Sequence, residues 1–269
     1  SKLQQHRKRT SLLATTPKNR NTRNSKQTRT LSARITAMRT ALRQYLLTAV
    51  RWFVILVAVF CFAVIALTLL YRIEAIKPAS TLMLARQVTF QPMTRQWIEF
   101  EDVAPTLYQS VLMSEDGQFC RHNGVDWGAV NLVISDALDG ERPRGASTIT
   151  MQTAKNLFLW GGRSYLRKAL EVPLALWIDL ALSKKRIMEI YLNIAQWDDG
   201  GVFGAEAGAR SHFGRSASDL TRMQSAYMAV TLPNPILRNP SQPSAGLARL
   251  SRIVERRAAQ SGAYIECLK

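Results

Sequence analysis

This 269-residue sequence has little cysteine, little histidine and, over its first quarter, no acid at all. Three cysteines (Cys61, Cys120, Cys267) cannot build a disulfide framework, and one bond is the most they can form. Three histidines (His6, His122, His212), with no H-E-x-x-H and no C-x-x-C, argue against a zinc site. No G-K-[ST] occurs, which excludes a phosphate loop. No S-x-x-K occurs either, so a penicillin-binding module is not expected. The first acidic residue is Glu74, and that absence matters most.

The formal charge is +17, a value that invites a nucleic-acid reading. Its distribution removes that reading. Residues 1–51 hold 13 of the 36 basic residues and no acid, whereas the remainder is nearly balanced. A polycationic tail precedes an ordinary body, and no nucleic-acid partner is expected. The tail is poor in aromatics and rich in Ser, Thr, Asn and Gln, so it is expected to be largely disordered. Residues 31–47 carry the pattern of a basic amphipathic helix. The sequence starts at Ser1 without Met, and a natural start upstream is expected.

Directly after the tail comes WFVILVAVFCFAVIALTLLY, residues 52–71, without a single charge. As a helix this run spans roughly 30 Å, the thickness of a hydrocarbon core. Trp52 and Tyr71 stand at its ends and Arg51 and Arg72 bracket it, as interfacial anchors do. A cleaved signal peptide fits worse, because the basic region ahead is too long. The basic excess predicts a cytoplasmic N-terminus and an exported remainder. Three parts follow: a cytoplasmic tail (1–51), a transmembrane helix (52–71) and a periplasmic domain (72–269). Cys61 falls within the span as a small apolar residue. Cys120 and Cys267 both face the oxidising side, where a bond between them is allowed by compartment but untested by geometry.

The exported part reads as mostly α. Helical periodicity recurs over residues 147–158, 165–182, 184–195, 220–232 and 245–260, and residues 132–138 form an apolar run. A break is expected at residues 143–145 and a proline-rich turn at 232–243. TLMLARQVTF, residues 81–90, is the one weak strand candidate, and residues 73–91 are apolar enough to touch a membrane surface. Gly- and Ala-rich residues 200–214 suit close helix packing.

Three segments could carry chemistry. In SEDGQFCRHNG, Glu115 and Asp116 sit among apolar and aromatic neighbours, which suits a general acid or base. On spacing alone the same residues fit better the solvated end of a helix followed by a loop. In RGASTITMQTAKNLF, Gly145 and the Ser147/Thr148 pair look like a helix start with a hydroxyl as N-cap, and if the helix runs on, Thr148, Gln152 and Lys155 share one face. That face is either an anion site or ordinary solvated surface. In RKALE, Arg167 and Glu171 are i,i+4 partners: an exposed pair of little worth, or in a cleft an anion-binding group. Lys185 and Glu189 repeat that spacing and are expected to be a plain solvated face.

Taken in order and spacing, EDGQFCRHNG, GASTITMQTAKNLFL, RKALE, SKKRIMEIYLNIAQW and GVFGAEAGARSHFG resemble the motif series of the peptidoglycan glycosyltransferases. The likeness covers residues 96–240 and is greatest to the monofunctional biosynthetic peptidoglycan transglycosylases of Gram-negative bacteria. The same domain forms the front half of class A penicillin-binding proteins. The resemblance implies a mostly α, lysozyme-like fold with a membrane-proximal jaw subdomain. It implies polymerisation of lipid II into glycan strands, with inversion and release of undecaprenyl pyrophosphate, for cell-wall biogenesis and cell shape. It places Glu115 as general base and Glu171 as a second catalytic carboxylate that orients cations or holds a metal. Asp116, Phe119, His122, Thr148, Gln152, Lys155, Arg167 and Lys168 match substrate-facing positions of the motifs. A divalent cation, Mg or Mn, is the one cofactor left open. Expected partners are lipid II, the growing strand, the inner membrane and proteins of cell-wall or division complexes.

The sequence departs from the family pattern at Ala146, at Met151, at SHFG (residues 211–214) and at Gln224, none of which is a proposed catalytic position. Two other classes stand beside this one. A lytic glycosidase on the same fold would cleave finished glycan, and an inactive membrane-anchored scaffold would need no Glu115.

Overall fold

A computed structural model describes residues 18–141, 145–162 and 164–269. Residues 1–17 of the basic tail and the expected break at Pro143 lie outside the described residues. The chain divides into two units, residues 1–63 and 64–269.

Helix α1 (Lys18–Leu70) is much longer than the apolar run, and the expected start at Trp52 falls inside it. No proline or glycine occurs between residues 18 and 70, so nothing in the chain breaks the helix. Its stretch Thr36–Leu70 is long and apolar enough to cross a membrane. In the first unit its apolar side chains, Trp52, Phe53, Leu56 and Phe62 among them, are exposed.

The second unit begins with the last turns of α1, whose Val64 and Thr68 are buried in its core. The segment after α1 is fixed by Arg186, which donates to the carbonyls of Tyr71 (2.8 Å), Ile73 (3.2 Å) and Ile76 (2.6 Å). Its remaining Nη1 pairs with Glu189 at 2.7 Å, so this buried guanidinium is fully engaged.

The weak strand candidate is a helix, α2 (Thr81–Val88). Ser80 caps it by accepting from the Met83 amide, and Met83 alone is buried. Leu, Met, Ala, Arg and Gln are good helix formers, and the local cap outweighs a short alternation. Strand is limited, among the described residues, to β1 (Thr94–Arg95) paired in parallel with β2 (Val202–Phe203).

The core is built around α7 (Lys184–Ile194), where every residue from Arg186 onward is buried. This is why Glu189 is not the solvated residue its spacing suggested, while Lys185 does remain at the surface with Glu101. Against α7 pack α5 (Ile149–Phe158) and α6 (Tyr165–Ala181). A second group consists of α3 (Pro105–Glu115), α9 (Arg222–Thr231) and α10 (Ala245–Ala259). Within α8 (Ala205–Phe213), a Cβ on Gly208 would lie 2.9 Å from both Trp197 and Met228. The small residue is required by that close approach.

Helix α4 (Trp127–Leu138) differs from the rest. It is apolar, yet none of its residues is buried, and Trp127, Leu132, Ile134 and Leu138 are exposed. Cys120 and Cys267 form a disulfide with a Cα–Cα separation of 5.5 Å, tying the C-terminus to the loop after α3. The bond the sequence left open is present.

Candidate active site

Helix α3 ends on Glu115, because Asp116 turns out of the helix at φ −160 and its own N–H closes the last turn onto Leu112. The turn is held from behind. Both Asp116 oxygens lie 3.0 Å from His122 Nε2, and its Oδ2 accepts from the Ile149 amide at 2.9 Å. The carboxylate thus sits at the N-terminus of α5, where backbone N–H groups favour an anion. Thr148 caps the same helix, accepting from Met151 N (3.0 Å) and donating to Gly124 O (2.6 Å). Gly124 has φ +84, and a Cβ there would lie 2.5 Å from the carbonyl oxygen of Ala175, so α6 comes against bare backbone.

This arrangement turns the Glu115 carboxyl inward. Its Oε2 accepts from Gln152 Nε2 at 3.1 Å and its Oε1 from Ser114 Oγ at 3.3 Å. Burial raises its pKa above the usual carboxylate range. The two hydrogen bonds and the charge of Arg238 pull the other way without prevailing, and Asp116 adds to the rise. Gln152 is itself held, since Tyr191 of α7 donates to its Oε1 at 3.1 Å.

One helical turn beyond Gln152 stands Lys155. It lines a cleft of about 450 Å³ together with Gln152, Arg167, Tyr191, Ser80 and Trp160. Burial lowers its pKa below that of an ordinary lysine, opposed chiefly by the carboxylate of Glu171 and more weakly by Glu115. Among the described residues no hydrogen-bond partner holds its ammonium. The Arg167 Nε is likewise buried without a partner.

Helix α6 begins at the cap Ser164 and sends three charges to this place. Arg167 Nη1 bonds Glu171 Oε1, and Lys168 Nζ bonds Glu171 Oε2 at 2.9 Å. Lys168 also donates to Ser147 Oγ at 2.5 Å. Glu171 is almost wholly buried, and both of its oxygens are taken by cations. Such a carboxylate orients positive charge and is poorly suited to ligate a metal. Among the described residues no three His, Cys, Asp or Glu side chains cluster as a metal set. On the far side of Glu115 a smaller hollow of about 160 Å³ is lined by Glu115, Gln118, Asp126 and Ser147.

Six of the ten expected residues therefore come together: Glu115, Gln152, Lys155, Arg167, Lys168 and Glu171. The other four stand behind them. Phe119 has no exposed surface, and Lys184 sits over its ring while bonding the His122 carbonyl. Asp116 and His122 hold each other, and Thr148 is buried as a cap. Thr148 was expected on the polar face with Gln152 and Lys155. As the N-cap it has extended dihedrals (φ −76, ψ 163), so the helical spacing rule does not reach it. Its neighbour Ser147 faces the site instead. Tyr191 and Arg238 were not anticipated, and nothing local in the sequence marks them, whereas Ser147 was marked only as part of a helix start.

The transglycosylase family model matches residues 83–258. The biosynthetic peptidoglycan transglycosylase of Rhizobium meliloti (strain 1021) is 59% identical over 203 residues, covering 76% of this chain and 86% of that protein. The protein of the same name from Brucella suis biovar 1 (strain 1330) is 58% identical over 203 residues, 76% of this chain and 90% of that one. That from Agrobacterium fabrum (strain C58 / ATCC 33970) is 57% identical over 198 residues, 74% and 87% respectively. The chain belongs to the transglycosylase family.

Proposed function

We propose that this chain is a membrane-anchored peptidoglycan glycosyltransferase that joins lipid II units into glycan strands. The observation that carries this reading is the pairing within one site of a buried Glu115 with Lys155, whose ammonium no hydrogen-bond partner holds among the described residues, and with Arg167, whose buried Nε is unpartnered. A sugar 4-hydroxyl of the acceptor attacks the anomeric carbon of the donor from the face opposite its pyrophosphate, and the configuration inverts. The C–O bond to the new sugar forms, the C–O bond to pyrophosphate breaks, and the hydroxyl proton passes to Glu115. A carboxylate whose pKa is raised accepts a proton better than an ordinary one.

The departing pyrophosphate is a weak base and needs charge neutralisation rather than a proton. Lys155 and Arg167 supply it, with Lys168 held alongside by Glu171 and Ser147. A glycosidase of the two-carboxyl kind would require a second carboxyl free to act opposite the first. Glu171 is bound on both oxygens by cations and Asp116 by His122 and a backbone amide, so neither is free.

The membrane setting follows the same logic. The long apolar helix α1 anchors the chain, with the basic tail on the cytoplasmic side and the domain exported across the inner membrane. The Cys120–Cys267 bond suits an oxidising compartment. The exposed apolar face of α4 serves as the jaw that meets lipid. The test is to supply the purified full chain with lipid II in one arm and finished glycan in the other. Polymer and undecaprenyl pyrophosphate from the first arm alone support a transferase. Cleavage in the second arm, or no reaction in either, overturns it.

A further inference from the structure

We propose that Tyr191 is a positioning residue that fixes the side-chain amide of Gln152, so that its N–H rather than its oxygen faces Glu115. The inference rests on the reading of Glu115 as the base and adds how its charged form is held. Tyr191 lies in the second half of α7, only 1% exposed, packed into the core at the wall of the cleft it helps to line. Its hydroxyl donates to Gln152 Oε1 at 3.1 Å, and Gln152 Nε2 donates to Glu115 Oε2 at 3.1 Å. These two bonds form a chain running in one direction, from phenol to amide to carboxylate.

The direction has a chemical cause. An amide has a donor end and an acceptor end, and the partners decide which end points where. A carboxylate can only accept. A buried phenol that stays neutral keeps a proton to donate, and burial raises the Tyr191 pKa well above its ordinary value, with Glu115 and Asp116 adding to the rise. With the phenol donating to the oxygen, the nitrogen faces Glu115, and the ionised carboxylate gains a donor. The reverse orientation would set the amide oxygen against the carboxylate. It becomes favourable only when Glu115 is protonated and can donate to that oxygen. Tyr191 therefore biases Glu115 toward the form that accepts a proton.

The other groups around Glu115 come from separate elements. Asp116 follows it in the chain, Ser114 donates from α3, Lys155 stands on α5, and Arg238 acts from the loop after α9. None of them touches the Tyr191 hydroxyl, so its removal isolates one link.

The experiment is the pH dependence of lipid II polymerisation in the full chain, comparing wild type with Tyr191→Phe. Loss of the phenol proton lets the amide turn, and the acid limb is expected to move up by about half a pH unit to one unit. The rate is then several-fold lower on the acid side of the limb and returns toward wild type on the alkaline side, with KM little changed. A purely structural role would lower the rate equally at every pH. Gln152→Met removes the amide at nearly constant volume and should also move the acid limb upward. In that background Tyr191→Phe should add nothing, because the relay has already been cut. An unmoved acid limb in Tyr191→Phe overturns the proposal, as do additive shifts in the double variant. Should Tyr191→Phe fail to fold, an unmoved limb in Gln152→Met overturns it alone. Wild-type activity in Glu115→Gln would instead overturn the assignment of the base, leaving the two failures distinct.

Discussion

The amide nitrogen of Gln152 stands 3.1 Å from Oε2 of Glu115, which makes α5 a donor to the carboxylate at the end of α3. The same helix carries Lys155 one turn further on, so a single rigid element sets the distance between the proposed base and the first cation proposed to bind the pyrophosphate. A rigid α5 is held by Asp116 and Thr148 at its N-terminus and by Thr81, which donates to Leu159 O, at the other end.

Two opposed pKa shifts define the pH profile. Glu115 must be ionised and its pKa is raised, so activity should fall on acidification at a pH above the usual carboxylate range. Lys155 must be charged and its pKa is lowered, so the alkaline fall should precede that of an ordinary lysine. Initial rates of polymerisation across pH check both limbs. Limbs at the values of free glutamate and lysine would contradict the buried site.

The same Glu115 should cost stability. Its folded-state pKa lies above that of the unfolded chain, so the fold favours the protonated form. Stability is full below the ordinary carboxylate pKa and declines as pH rises through the raised one. Glu115→Gln should therefore raise the thermal midpoint at pH 8 and leave it unchanged near pH 4. A destabilised variant at pH 8 would show that the carboxylate is held by its bonds more than it is penalised by burial.

Glu171 is expected to matter through its cations. Glu171→Gln leaves Arg167 without its buried counter-charge and frees Lys168 from one of two anchors. Breaking a buried pair on one side costs about 3–5 kcal/mol, and loss of preorganised charge costs about 10²-fold in kcat. Urea unfolding and steady-state kinetics measure the two. Unchanged kcat in a folded variant would remove Glu171 from the mechanism.

The disulfide closes a loop between residues 147 positions apart, next to the motif that carries Glu115. In the chain-entropy account such a link contributes about 4–5 kcal/mol. The double variant Cys120→Ser with Cys267→Ser should unfold at lower denaturant, and reductant should do the same to wild type alone. Coincident unfolding curves would contradict this.

What the sequence made legible was local. The boundaries of α6, α7, α9 and α10 fall within two residues of the periodic stretches, because Ser164, Ser183, Thr221 and Ser244 cap them within the chain itself. That Glu115, Lys155, Arg167, Lys168 and Glu171 belong together as candidates was legible through the order and spacing of the motifs. Contacts made only by tertiary approach were not. Tyr191 reads as one more apolar-face residue of α7, yet its hydroxyl meets an amide 39 positions away. Thr148 and Ser147 are adjacent hydroxyls, and only the start of α5 decides which one caps and which one faces Lys168. The pairing of Cys120 with Cys267 likewise depends on where the C-terminus returns.

The most direct test of the account is a single-turnover assay of lipid II with wild type and Glu115→Gln, counting undecaprenyl pyrophosphate released. The account predicts that Glu115→Gln binds lipid II as wild type does but releases pyrophosphate about 10²–10⁴-fold more slowly. Release at the wild-type rate would show that another group takes the proton, and the assignment of Glu115 would fall.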